Sequence, residues 1–363
     1  MINKSKKVGL ITVLIFLLVS IVSCGSMDGK NRKSDDIENN GVAKVKITED
    51  YIPLTEIEEG RPDIYVIVKS MTSSYWQVVI NGVKQAGIDK NCNVYAAGST
   101  LETEWQLQEA YIDLAVERGA DAIILGPVNS EMLSPVVEKV YKMGIPIIIV
   151  DTIVNTEKYD VCYMTDNLQA GENAAREMLR VLKEQGHTEQ DKVYVAIQLG
   201  AKASQTINER LAGFCQYWTI HAPEGWKILD EIKCNDGDEL LAKEISEKFF
   251  MEYPYVNGVF GTDNASSMGF SSAIMKLDKR DIVMVGFDYS PEVTEIIEDG
   301  RYVVSIMLQK QYQMGYNAVE SALLINNGGQ EKLKFFDTGV AVLNKDTMNS
   351  DEIMEIIKNN KGE

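Results

Sequence analysis

The chain has 363 residues, with 54 aspartates and glutamates against 36 lysines and arginines, for a formal net charge of −18. Beyond its first seven residues no lysine or arginine cluster is dense enough to offer the basic face whose counterion release drives binding to nucleic acid. Its 2 histidines and 5 cysteines show none of the short paired spacings of a zinc site, and no metal is expected.

At the start of the chain, Lys4, Lys6 and Lys7 precede an uncharged apolar run from Val8 to Val22. A membrane span needs roughly 20 apolar residues, so this pattern reads as a signal peptide over residues 1–23. Ile21-Val22-Ser23-Cys24 resembles the lipobox of bacterial lipoproteins. That resemblance implies a diacylglycerol-modified Cys24 that anchors the chain to the outer face of the cell membrane. Residues 24–60 are expected to form a tether, because the stretch from Gly25 to about Asp50 is polar, mixed in charge and without an apolar face.

Short β-branched runs alternate with segments of helical period from Ile64 onward. The strands expected are Ile64–Val68, Cys92–Ala96, Ala122–Leu125, Pro146–Val150, Val193–Gln198, Ile228–Lys233, Gly258–Gly261, Ile282–Gly286 and Val303–Met307. Between them fall helices such as Tyr75–Ile88, Glu104–Glu117, Met132–Lys142, Leu168–Glu184, Ile207–Ile220, Glu239–Met251 and Ser266–Lys276. The strands are apolar throughout rather than alternating, which suits parallel strands covered by helices on both faces. So long a pattern exceeds one ordinary core, and an α/β fold of two lobes is expected. A single eight-fold barrel also alternates strand and helix, but the break at Thr165-Asp166-Asn167 and the late strand Val303–Met307 favour two halves.

Ligands of open parallel sheets lie beyond the carboxyl ends of the strands. The first strand is followed by Lys69 and, behind a polar loop containing Ser73, by Tyr75-Trp76. Two adjacent aromatics there either cover the apolar face of a sugar ring or fill core space. Three later strands end in Asp151-Thr152, Thr262-Asp263 and Phe287-Asp288. A single aspartate after a strand is commonly the cap of the next helix; three at equivalent places suggest convergence on a ligand. The acidic stretch Asn235–Glu239 lacks the spacing of a calcium loop and reads as a helix cap. Cys92, Cys162, Cys215 and Cys234 are expected as small buried hydrophobes, with a disulfide permitted by export but no pairing selected. His187 and His221, near helix ends, are expected at the surface.

Val285-Gly286-Phe287-Asp288, Arg210-Leu211-Ala212-Gly213-Phe214, Thr165-Asp166-Asn167 leading to Gly171, Gly119-Ala120-Asp121-Ala122-Ile123-Ile124 and Gly144-Ile145-Pro146 occur in the order and spacing of a known family. From about Ile64 to Asn344 the chain resembles the type I periplasmic binding proteins of the ribose-binding and lac-repressor-core superfamily. The resemblance implies two Rossmann-like lobes with parallel sheets joined by a three-strand hinge near Thr165-Asp166, Gln309-Lys310 and Asp337-Thr338. It places residues 61–165 with 310–337 in an N-terminal lobe, 166–309 with 338–349 in a C-terminal lobe, and leaves 350–363 as a tail. It also implies a ligand site formed by Ser73, Tyr75, Trp76, Asp151, Arg210, Asp263, Asp288 and Gln309, to which Lys69 after the first strand is added.

Some positions depart from the ribose-binding pattern. Ser73 stands where ribose binders carry an asparagine, Thr152 replaces a basic residue, Asp263 an asparagine and Gly237 an aromatic, while Lys69 is an added cation. Ribose itself is therefore not implied. Asp151, Asp263 and Asp288 outnumber Lys69 and Arg210 by one charge, so a neutral sugar or polyol is expected and a phosphorylated or carboxylated ligand disfavoured. The implied role is that of a monomeric lipoprotein without cofactor that delivers its sugar to the permease of an ABC transporter, or alternatively presents it to a membrane sensor kinase. No nucleophile elbow, Walker loop, zinc-protease or dinucleotide motif supports an enzyme.

Overall fold

The structure is a computed structural model that describes residue 45 and residues 47–99, 104–202 and 204–361. The expected signal peptide, Cys24 and the tether as far as residue 44 lie outside the described residues.

The first half runs β1 (Ile52–Pro53), β2 (Asp63–Val68), α1 (Ser74–Lys90), β3 (Asn93–Gly98), α2 (Trp105–Glu117), β4 (Ala122–Leu125), α3 (Ser134–Lys142), β5 (Ile147–Val150) and β6 (Val161–Met164). It continues through α4 (Asn167–Glu184), β7 (Val193–Leu199), α5 (Gln205–His221), β8 (Trp226–Cys234), α6 (Glu239–Glu252), β9 (Gly258–Gly261), α7 (Asn264–Lys276), β10 (Val283–Phe287), α8 (Pro291–Asp299) and β11 (Val303–Gln309). The chain closes with α9 (Gln311–Asn326), β12 (Phe335–Asp337), β13 (Val340–Leu343) and α10 (Asp351–Lys361).

Two sheets result, in the orders β1-β3-β2-β4-β5-β6-β12 and β13-β11-β10-β9-β7-β8. All pairings are parallel except the two edge strands β1, against β3, and β13, against β11. Both faces are covered, as the uninterrupted apolar runs require. Along β2, Ile64, Val66 and Val68 enter one hydrophobic cluster while Tyr65 and Ile67 enter the cluster on the opposite face.

The chain passes between the sheets at three places, and side chains bind the three passages together. Thr165 Oγ1 donates to Gln309 Oε1 at 2.9 Å, and the Asp166 amide donates to Asp337 Oδ1 at 2.8 Å. These are the segments expected to form the hinge.

Helix starts follow local chemistry. Asp166, Asp238, Asp263 and Ser290 each accept a backbone N–H three residues on, which caps α4, α6, α7 and α8. Asp238 bears out the cap reading of the acidic stretch.

In each lobe, glycines let two helices touch backbone to backbone. A Cβ at Gly171 would collide with the carbonyl oxygen of Arg210, and one at Gly213 with that of Leu168, which locks α4 to α5. Gly82 and Gly315 do the same for α1 and α9 against the carbonyls of Tyr312 and Val79.

Two expected boundaries differ. The tether ends earlier than residue 60: Tyr51 is buried with its hydroxyl on the Tyr111 carbonyl, and the Leu54 amide bonds the Val94 carbonyl, so this strip closes the sheet edge. The segment beyond residue 350 is not a loose tail. Ile353 and Ile356, one helical turn apart, sink into the core beside the second sheet and fold it as α10. All four described cysteines are unbridged; Cys92 and Cys162 are buried, and Cys215 and Cys234 partly so. His187 is half-buried against Trp226, and His221 is exposed.

Candidate functional site

Each sheet ends one central strand in an aspartate with an unusual backbone. Asp151 follows β5 with φ 68° and Asp288 follows β10 with φ 69°. Their amides stay paired to the neighbouring strand, Asp151 N–H on the Tyr163 carbonyl at 2.9 Å and Asp288 N–H on the Met307 carbonyl at 3.1 Å. The left-handed twist costs free energy for a residue with a Cβ, aspartate tolerates it better than most, and such strain gathers at functional sites. The two aspartates thus occupy equivalent places in the two halves.

A chain of polar contacts joins them. Lys69, just beyond β2, pairs its Nζ with Asp151 Oδ2 at 2.8 Å and donates to Thr152 Oγ1 at 2.7 Å. Thr152 Oγ1 donates in turn to Asp151 Oδ2 at 2.7 Å. The Tyr75 hydroxyl, from the first turn of α1, donates to Asp151 Oδ1 at 2.6 Å and lies 3.5 Å from Gln309 Oε1. Gln309 Nε2, at the end of β11, donates to Asp288 Oδ1 at 2.7 Å. On the far side, Arg210 Nη1 stands 4.0 Å from Asp288 Oδ2. Lys69, Tyr75, Asp151, Gln309, Asp288 and Arg210 are therefore brought together across both sheets.

Asn167 and Thr262 hold Arg210 in place. Its Nε donates to Asn167 Oδ1 at 2.8 Å, its Nη1 to the Thr262 carbonyl at 2.9 Å, and the guanidinium lies 4.1 Å from the centre of the Phe287 ring. Asn167 was not among the expected site residues; its only sequence signal was its place in the Thr165-Asp166-Asn167 break.

The remaining expected residues are placed differently. Trp76 is 2% exposed and packs into the core of the first lobe against Gly126, its ring 5.7 Å from Lys69 Nζ. Of the two readings of Tyr75-Trp76, the structure gives Trp76 the core role and turns Tyr75 toward the polar chain. Asp263 caps α7, accepting from the amide and hydroxyl of Ser266. Ser73 precedes α1, where its carbonyl accepts from the Gln77 amide.

Burial and charge set the protonation of the carboxyls. Burial alone pushes Asp151 up, but the Lys69 ammonium and the hydrogen bonds from Lys69, Tyr75 and Thr152 outweigh it and hold the group below its ordinary value. Asp288 is pushed up to about 6, chiefly by burial, because Arg210 and Gln309 compensate only in part. Burial likewise raises Asp263. The formal excess of negative charge therefore rests on two carboxyls that resist ionisation.

Tyr75 and Asp288, one from each lobe, both line a cavity of about 250 Å³ together with Ser74, Val78, Asn264, Tyr289, Pro291, Gln311 and Asn360. A pocket of roughly 150 Å³ holds benzene and drug-sized ligands occupy roughly 300 Å³ or more, so this volume suits a single sugar ring and not an oligosaccharide.

A family model described as a periplasmic binding protein domain matches residues 64–330. The chain belongs to the periplasmic binding protein family. Among curated relatives of this binding protein is the ABC transporter periplasmic-binding protein YphF of Escherichia coli, 26% identical over 258 residues, or 68% of this chain and 75% of that one. A carbohydrate transporter solute binding protein from Agrobacterium radiobacter, solved in complex with D-arabinose, superposes with a TM-score of 0.76 at 25% identity, covering 83% of this chain and all of that one. An ABC transporter solute binding protein from Agrobacterium vitis with bound D-fucose superposes with a TM-score of 0.72 at 26% identity, covering 80% and 98%. The two sheets of the binding protein match those of these two solved structures.

Proposed function

We propose that this protein is an extracytoplasmic solute-binding lipoprotein that captures one neutral sugar or sugar-like polyol between its lobes and delivers it to an ABC transporter permease. The observation that carries the reading is the polar chain from Lys69 through Asp151, Tyr75 and Gln309 to Asp288, with Arg210 beyond it, which crosses from one lobe to the other. A polyol hydroxyl both donates and accepts, so it fits between carboxylates and cations that already neutralise each other in part. A phosphorylated or carboxylated sugar meets the carboxylates of Asp151 and Asp288.

The energetics are adequate. Hydrogen bonds to charged groups contribute about 1.5 to 3 kcal/mol each. A micromolar dissociation constant corresponds to about 8.2 kcal/mol, which five or six such bonds supply after ordering costs. Hinge closure at the three crossings dries the pocket and strengthens those bonds. The bound relatives point the same way, since their ligands are D-arabinose and D-fucose.

The test is a thermal-shift screen with pentoses, hexoses and inositols beside sugar phosphates and uronic acids. A ligand that binds only the folded state raises the melting point. The reading expects a rise with one or more neutral sugars and none with the charged ones. A rise confined to charged ligands, or none at all, contradicts it.

A further inference from the structure

The C-terminal helix α10 sits where a lone tail would have no reason to sit. Ile353 and Ile356 anchor it in the core beside the second sheet, while Glu352 pairs with Lys310 Nζ at 2.9 Å. Its last turn lies over a hinge passage, where Ile356, Asn359 and Asn360 line a small cleft with Gln309–Gln313. Asn360 also reaches the cavity shared by Tyr75 and Asp288.

Among the described residues four buried side-chain nitrogen or oxygen atoms have no hydrogen-bond partner, and three of them belong to residues of that cavity: Asn264 Oδ1, Gln311 Oε1 and Asn360 Nδ2. They come from the first turn of α7, the first turn of α9 and the end of α10, so sequence proximity does not explain the coincidence. Gln311 is 3% exposed. Buried polar atoms are almost always paired, and an unpaired one costs free energy that a ligand can recover.

We infer that Asn264, Gln311 and Asn360 are ligand-contacting residues, which makes α10 a wall of the sugar site. Three residues lining one cavity, two with an unpaired carbonyl oxygen and one with an unpaired amide N–H, suit a partner that donates and accepts at once, as the hydroxyls of a neutral polyol do. A phosphate or carboxylate would satisfy only the N–H and face two carbonyl oxygens. The inference rests on the sugar-binding reading and adds to it three residues that set which hydroxyls are recognised.

Calorimetric titration of the intact protein with D-ribose, D-arabinose, D-fucose, D-galactose and myo-inositol tests it, using wild type, Q311A, N360A, R210A and the exposed-face control E355A. Loss of one neutral hydrogen bond corresponds to roughly a 3- to 10-fold weakening. Q311A and N360A are expected to weaken binding by that factor without lowering the melting point of the unliganded protein, while E355A leaves both unchanged. The deoxy analogue lacking the contacted hydroxyl should bind N360A and wild type equally, an outcome that a merely structural asparagine would not produce. Wild-type affinity in both Q311A and N360A, with R210A still impaired, overturns the inference and leaves the sugar reading standing. Failure of the wild type to bind any of these compounds removes both.

Discussion

The guanidinium of Arg210 stands 4.0 Å from the Asp288 carboxylate, too far for a hydrogen bond, while neutral partners, Asn167 Oδ1 and the Thr262 carbonyl, take its Nε and Nη1 donors. The cation is thus fixed by the fold and not by its counter-charge. Among the described residues the Asp288 carboxyl accepts one hydrogen bond, from Gln309, and burial pushes it up to about 6. Arg210 and Asp288 thus face each other without a hydrogen bond between them.

This spacing predicts a conflict between stability and binding at Asp288. Its folded pKa lies above the ordinary 3.8, so between about pH 4 and 6 the native state binds more protons than the unfolded state, and stability falls as pH rises through that window. Asp288→Asn removes the cost. At pH 7 the variant is expected to be more stable than wild type by about 2 to 3 kcal/mol, the difference vanishing near pH 4, and to bind sugar more weakly. Calorimetric unfolding at both pH values, with a sugar titration, checks this; a destabilised variant at pH 7 refutes it.

Lys69 and Asp151 behave oppositely, because here the ion pair is made. The folded pKa of Asp151 is lowered, so its contribution is present above the ordinary carboxylate value and is lost as pH falls through the folded one. Lys69→Met strands a buried carboxylate, and removal of one partner of such a pair costs about 3 to 5 kcal/mol at neutral pH. Adding Asp151→Asn should recover most of that loss. Denaturant unfolding of the two variants decides the matter, and equal instability of single and double variants would count against the pairing.

Helix contact positions the arginine. Gly171→Ala forces α4 away from the Arg210 carbonyl. Overpacking of this kind costs about 1 to 3 kcal/mol. A lower melting point together with weaker sugar binding is expected, since the displaced backbone carries Arg210; an unchanged melting point shows that the two helices part freely.

Much of this was written in the residue pattern. Runs such as Ile147–Val150 and Ala122–Leu125 are apolar without a break because both faces are covered, and that made the parallel strands readable. Phe335–Asp337 and Val340–Leu343 are short, half-exposed and next to the lobe passage, so β12 and β13 carried no comparable signal. α10 looked like a tail because only two of its described residues, Ile353 and Ile356, are fully buried while its end reads Asn-Asn-Lys.

The site divides in the same way. Asp151 and Asp288 announce themselves because they terminate strands, whereas Arg210 and Gln309 were implied only by the resemblance to the ribose-binding family. Asn264, Gln311 and Asn360 announce nothing: an amide side chain is ordinary in any sequence, and only the absence of a partner in three dimensions marks these.

The central claim is that charged groups from both lobes hold one uncharged molecule, and titration calorimetry of wild type against R210A with the sugar that most raises the melting point tests it most directly. With both proteins folded by circular dichroism, the account predicts at least a ten-fold loss of affinity in R210A, about 1.4 kcal/mol. Equal affinities would contradict it.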